Sequence, residues 1–189
     1  MKRSLGVLSQ WLLMTAASAF LFIQFFRLNA WLFSWLEHAQ GINWVFLPAG
    51  FRVLLVLGMG LPGAVGIFCA NLWLDTDSIG AQGWLSVLLT AAASGLGPWA
   101  IKYWMESRQL LDRHLHHITA SRLLHFVLVY AVVNAVLHQT IRWSFDLSNS
   151  KPWLDVWPMF VGDAMGALAI LYTVKFSLTW LRQRANKRA

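Results

Sequence analysis

WVFLPAGFRVLLVLGMGLPGAVGIFCANLWL, residues Trp44 to Leu74, is an apolar run carrying one charged residue, Arg52. A membrane-spanning helix needs about 20 apolar residues, so the run is too long for one helix. Gly58-Met59-Gly60-Leu61-Pro62-Gly63 punctuates it as a turn. It therefore reads as two consecutive helices, Trp44 to Gly60 and a shorter one from about Leu61 to Leu74.

Similar blocks lie on both sides, at about Leu5–Phe26, Gly83–Trp104, Arg122–Ile141 and Trp157–Leu178. Apolar residues make up 58% of the 189 positions and charged ones 12%, against about 25% charged in a soluble domain. Lipid admits only helices or closed barrels, and continuous apolar blocks select helices. The expected fold is an all-α polytopic transmembrane helical bundle of six spans. A re-entrant pair formed by spans two and three would leave four crossings. Lys2-Arg3, an apolar run and Ala17-Ser18-Ala19 imitate a cleavable signal, and cleavage would leave five. The apolar run continues through Phe26, which favours an uncleaved anchor. Residues 1–181 form one integral membrane domain, and residues 182–189 a basic cytoplasmic tail.

The net charge of +7 is read through its placement. With six spans and an internal N-terminus, eleven Lys and Arg residues fall on the inner side, among them Lys2, Lys102, Arg108, Arg122, Lys175 and Arg184. Only Arg27, Arg142 and Lys151 fall outside. Lys and Arg accumulate on the cytoplasmic side, so both termini are expected in the cytoplasm, with anionic lipid rather than nucleic acid as the basic residues' partner. Trp31, Trp35, Trp44, Trp73, Trp84, Trp143, Trp153 and Trp157 gather at the outer boundary, where indole rings anchor. The stripe Leu28, Trp31, Leu32, Trp35 is expected to lie flat on the membrane.

Ionisable side chains inside a span are costly and are functional candidates. Arg52 lies eight residues from Trp44, roughly 12 Å deep at the helical rise. Asp163 lies six residues from Trp157, about 9 Å deep. Asn134 and His138 share one face of span five, and Asn71 closes span three. Five polar side chains from four spans thus occupy one outer layer. They read either as a structural ion pair with its polar neighbours or as a binding site for a small, anionic ligand. Pro48 and Gly50 interrupt span two beside Arg52, and Gly162 and Gly166 admit a close neighbour beside Asp163; all four are candidate hinges. Gly95-Leu96-Gly97-Pro98 is expected to break span four.

His114, His116 and His117 read as a headgroup-facing loop in preference to a metal or haem site. Cys69, the single cysteine, reads as a small buried thiol. No phosphate-binding glycine loop, Gly-x-Ser-x-Gly elbow or zinc-protease helix occurs, so neither an enzyme activity nor a metal or cofactor is expected.

Asn43-Trp44-Val45-Phe46-Leu47-Pro48-Ala49-Gly50, followed by Gly60-Leu61-Pro62-Gly63-Ala64-Val65-Gly66-Ile67-Phe68 and Asn71, resembles the bacterial membrane-associated sensor domain of the MASE type. Val161-Gly162-Asp163-Ala164-Met165-Gly166 matches that family's late Gly-Asp-x-x-Gly helix. The resemblance spans most of the chain. It implies a multi-span input module of the bacterial inner membrane, usually fused to a histidine kinase or a cyclic-dinucleotide enzyme. This chain departs from the pattern in carrying Pro48 four residues after Trp44, in adding Arg52, and in having only Arg182 to Ala189 after span six. The expectation is a stand-alone sensor-like module that binds a small ligand in its outer half and signals to a separate membrane or cytoplasmic partner. The alternatives are a transport component for a small solute and a membrane scaffold or assembly protein.

Overall fold

A computed structural model describes residues 2–39, 41–111, 119–145 and 151–186. His114, His116 and His117 lie outside the described residues. The described residues are all-α apart from a two-stranded hairpin. It runs α1 (Lys2–Phe33), β1 (Glu37–Ala39), β2 (Ile42–Asn43), α2 (Leu47–Met59), α3 (Leu61–Leu74), α4 (Ile79–Gln82), α5 (Trp84–Ser107), α6 (Ala120–Ser144) and α7 (Pro152–Asn186). Among the described residues four helices, α1, α5, α6 and α7, are long and apolar enough to cross a membrane.

The other two apolar helices are short. α2 has 13 residues and α3 has 14, so each is about 20 Å long, against roughly 30 Å of hydrocarbon. They turn back on each other at Gly60, whose φ of 64° is a conformation that glycine adopts without steric cost. The Ser18 hydroxyl of α1 donates to the Gly63 carbonyl at 2.7 Å. α1 continues sixteen residues from Ser18 to Lys2, about 24 Å at the helical rise, so the turn stands well short of the end of α1.

Several local expectations change. Pro48 opens α2 in its first turn, where the missing N–H would be unpaired in any case, so it starts the helix instead of interrupting it. Pro98 sits within an unbroken α5. Gly95, three positions before it, lets α5 press on the backbone of α3 at Ala64 and Phe68, and in lipid such contacts favour small residues. The stripe expected to lie flat on the membrane is divided: Leu28, Trp31 and Leu32 extend α1, and Trp35 belongs to a 3₁₀ turn at Ser34–Leu36 that leads into the hairpin. Cys69 is exposed on the outside of α3 rather than buried. All eight boundary tryptophans are exposed, and all belong to the end of the bundle that holds the hairpin.

Two apolar clusters fill the interior. Phe22, Leu55, Val56 and Ile67 join α1, α2 and α3. Val53, Met105, Phe126, Tyr130 and Ala167 join α2, α5, α6 and α7. The start of α2 is pinned from two sides, with Leu47 N–H donating to Asn29 Oδ1 at 2.9 Å and Phe46 N–H donating to the Gly162 carbonyl at 3.0 Å. α7 meets this segment through Gly162 and Gly166. A Cβ at either would collide with a backbone oxygen, that of Asn43 or Phe46, and one at Gly50 would strike Ile170.

Overpacking a tight site costs about 1–3 kcal/mol, and here the obstacle is backbone that cannot rotate away. Gly166→Ala should therefore lose stability in that range. Gly58→Ala, where a Cβ meets nothing within 4 Å, should be neutral or gain up to about 1 kcal/mol from helix propensity. Reversible unfolding in mixed micelles compares the two; equal effects would remove the proposed role of the α2–α7 contact.

Candidate functional site

Arg52 projects from the second turn of α2 into the space between α1, α5 and α6. Only 3% of it is exposed. Its Nη1 donates to the Tyr130 hydroxyl at 3.2 Å and its Nη2 to Ser94 Oγ at 3.3 Å. The rings of Phe22 and Phe46 flank it, with centroids 5.3 and 5.2 Å from Cζ. A desolvated cation over an aromatic face gains about 2 kcal/mol or more, comparable to the ~2.5–3.5 kcal/mol that insertion of a lone arginine costs. The guanidinium is thus held by neutral groups. Two of its five donors are used, and Nε is buried without a partner.

Asp163, in the fourth turn of α7, is 1% exposed. Asn134 Nδ2 donates to its Oδ2 at 2.6 Å. The expected pairing of Arg52 with Asp163 is therefore not a direct contact, since each has its own neutral partners. Both nevertheless line one cavity of about 170 Å³ at the hairpin end of the bundle. His138 also lines it, with Nε2 3.2 Å from Ser94 Oγ. Asn71 contributes to the wall, although its Nδ2 turns back to the Ile67 carbonyl at 2.8 Å. Four of the five expected polar residues thus share the cavity, and the fifth, Asn134, supports Asp163 from behind. Pro48, Gly50, Gly162 and Gly166 form the α2–α7 contact beside the cavity and mark no break in either helix.

Four contributors are missing from the set of residues expected at the site. Tyr130 lies four residues before Asn134, on the face that also carries His138, so helical periodicity was a signal for it. Ser94 carried none, because a serine among the alanines of α5 looks like packing. Arg142, assigned to the outer boundary by charge counting, and Asp75, just past the end of α3, also line the cavity. Burial raises the Asp75 carboxyl above its ordinary value of 3.8, and the Arg52 charge works against that rise.

No protein-family model, curated protein or solved structure matches this chain. The cavity walls offer a cation with spare donors, a carboxylate with spare acceptor capacity and several neutral polar groups. Among the described residues no group of three His, Cys, Asp or Glu side chains is arranged to hold a metal ion.

Asn134→Ala should cost about 1–3 kcal/mol, because it strips a buried carboxylate of its donor. Tyr130→Phe should cost less, about 0.6 and at most ~1.7 kcal/mol, the range measured for hydrogen bonds between membrane helices, because Ser94 still holds the guanidinium. Unfolding midpoints in mixed micelles order the two, and the reverse order would contradict this account of the site.

Proposed function

We propose that this chain is a membrane-embedded, sensor-like module that takes a small polar ligand into the cavity lined by Arg52, His138 and Asp163. The observation that carries the reading is that two buried, oppositely charged side chains share a cavity without pairing with each other. Unpaired charge at depth is expensive, and a structural pair would close the gap. Binding would report outward by favouring one packing of α2 against α7, which requires that the ligand bind the two packings unequally. The likeness to the MASE-type sensor domain and the accumulation of basic residues on one side support a bacterial inner-membrane module. Its termini would be cytoplasmic and its output would pass to a separate partner.

The two short helices have two arrangements of the same parity: six crossings, or four crossings with α2 and α3 as a re-entrant hairpin. Their length of about 20 Å each favours the second. With Cys69→Ser as background, Gly58→Cys should resist a membrane-impermeant maleimide added from the cytoplasmic side. Ready labelling would restore six crossings.

The functional test is cellular. Arg52→Gln and Asp163→Asn variants that still insert at wild-type levels should reproduce the phenotype of a deletion. If every such phenotype is retained by both, the cavity is structural and the reading fails. Uptake of labelled solute into vesicles containing the purified protein would instead favour a transport component, a role in which short helices meet polar groups at depth.

A further inference from the structure

We infer that the cavity selects a small zwitterion, a molecule that carries one carboxylate or phosphate and one ammonium group. The inference rests on the ligand-binding reading above and deepens it.

Among the described residues four formally charged side chains line the cavity, Arg52 and Arg142 of one sign and Asp75 and Asp163 of the other, so their charges sum to zero. An anion would satisfy Arg52 and add negative charge beside Asp163; a cation would reverse the problem. Both penalties grow where burial lowers the dielectric. A zwitterion introduces no net charge and supplies a partner to each end.

The valences are also open. Arg52 retains donors beyond those taken by Tyr130 and Ser94. Among the described residues Asn134 is the hydrogen-bond donor to Asp163, and a carboxylate has about four acceptor sites. An anionic group on the guanidinium and an ammonium on the carboxylate would fill these with charge-assisted bonds, about twice as strong as neutral ones. The separation of Arg52 from Asp163 then has a physical reason, because direct pairing would consume the valences that the ligand needs. The same chemistry has two sources, a free solute of the amino-acid kind or the headgroup of phosphatidylethanolamine, which lies at the level of the boundary tryptophans.

The full chain, purified in maltoside micelles, can be titrated calorimetrically with alanine, β-alanine and γ-aminobutyrate, and with the one-charge analogues propionate, butyrate, ethylamine and propylamine. A second arm adds phosphatidylethanolamine or the anionic phosphatidylglycerol to the micelles. The expected result is saturable binding of at least one zwitterion, free or as the lipid headgroup. Its affinity should be at least tenfold above that of each matched one-charge probe. Response only in the lipid arm assigns the headgroup as the source, and response in the solute arm assigns a free molecule. Asp163→Asn should bring zwitterion and anion to within about threefold of each other, a fraction of the 1.4 kcal/mol that a tenfold ratio represents. Should that variant misfold, the wild-type series decides alone. A one-charge probe that binds as tightly as its zwitterion overturns the inference and leaves the ligand-binding module standing. Absence of binding by every zwitterion in both arms also overturns it, while the cellular phenotype of Arg52→Gln reports separately on the module.

Discussion

A buried guanidinium whose hydrogen-bond partners are neutral hydroxyls is the constraint around which this bundle is arranged. Arg52 is almost wholly buried in the second turn of α2, so most of its charge is met by neighbouring groups. Two hydroxyls and two aromatic faces meet it. Those partners come from α1, α5, α6 and the segment before α2, so a single side chain ties together elements far apart in sequence. Because neutral groups do this, Asp163 remains available, and the space between the two charges stays open as a cavity.

The same region shows how close helix contact and polar chemistry depend on each other. α7 approaches the start of α2 through Gly162 and Gly166, where any side chain would meet a carbonyl oxygen. That approach makes the Gly162 carbonyl an acceptor for Phe46 N–H, satisfying one of the donors that a helix start leaves unpaired. It also sets Asp163, between the two glycines, against Asn134 of α6. Asn29 satisfies the next donor from the other side. A short helix with no side-chain N-cap of its own is thereby anchored by its neighbours.

Much of the site was legible from residue order because depth in a helix is a one-dimensional quantity. Counting residues from Trp44 and Trp157 put Arg52 and Asp163 in one layer, and the i, i+4 spacing put Asn134 and His138 on one face. Contact was not legible. Whether Arg52 turns toward Asp163 or toward Tyr130 depends on the rotation of α2 about its own axis, which no spacing encodes. Pro48 and Pro98 were read as interruptions because proline removes a donor; one falls where no donor is needed, and the other is absorbed within α5. The hairpin of Glu37–Ala39 and Ile42–Asn43 escaped notice because strands of three and two residues are too short to show an alternating pattern.

The chain's order of residues is sufficient for its helical class, for six apolar segments and for a polar layer near one boundary. These follow from hydropathy and helical rise, properties of each segment taken alone. The tertiary structure decided the rest: that α2 and α3 fold back at Gly60, that Cys69 faces outward, and that the two buried charges keep apart around a cavity. Those outcomes depend on interhelical distance and axial rotation, which are set by glycine contacts and shared hydrogen bonds between segments that are remote in sequence.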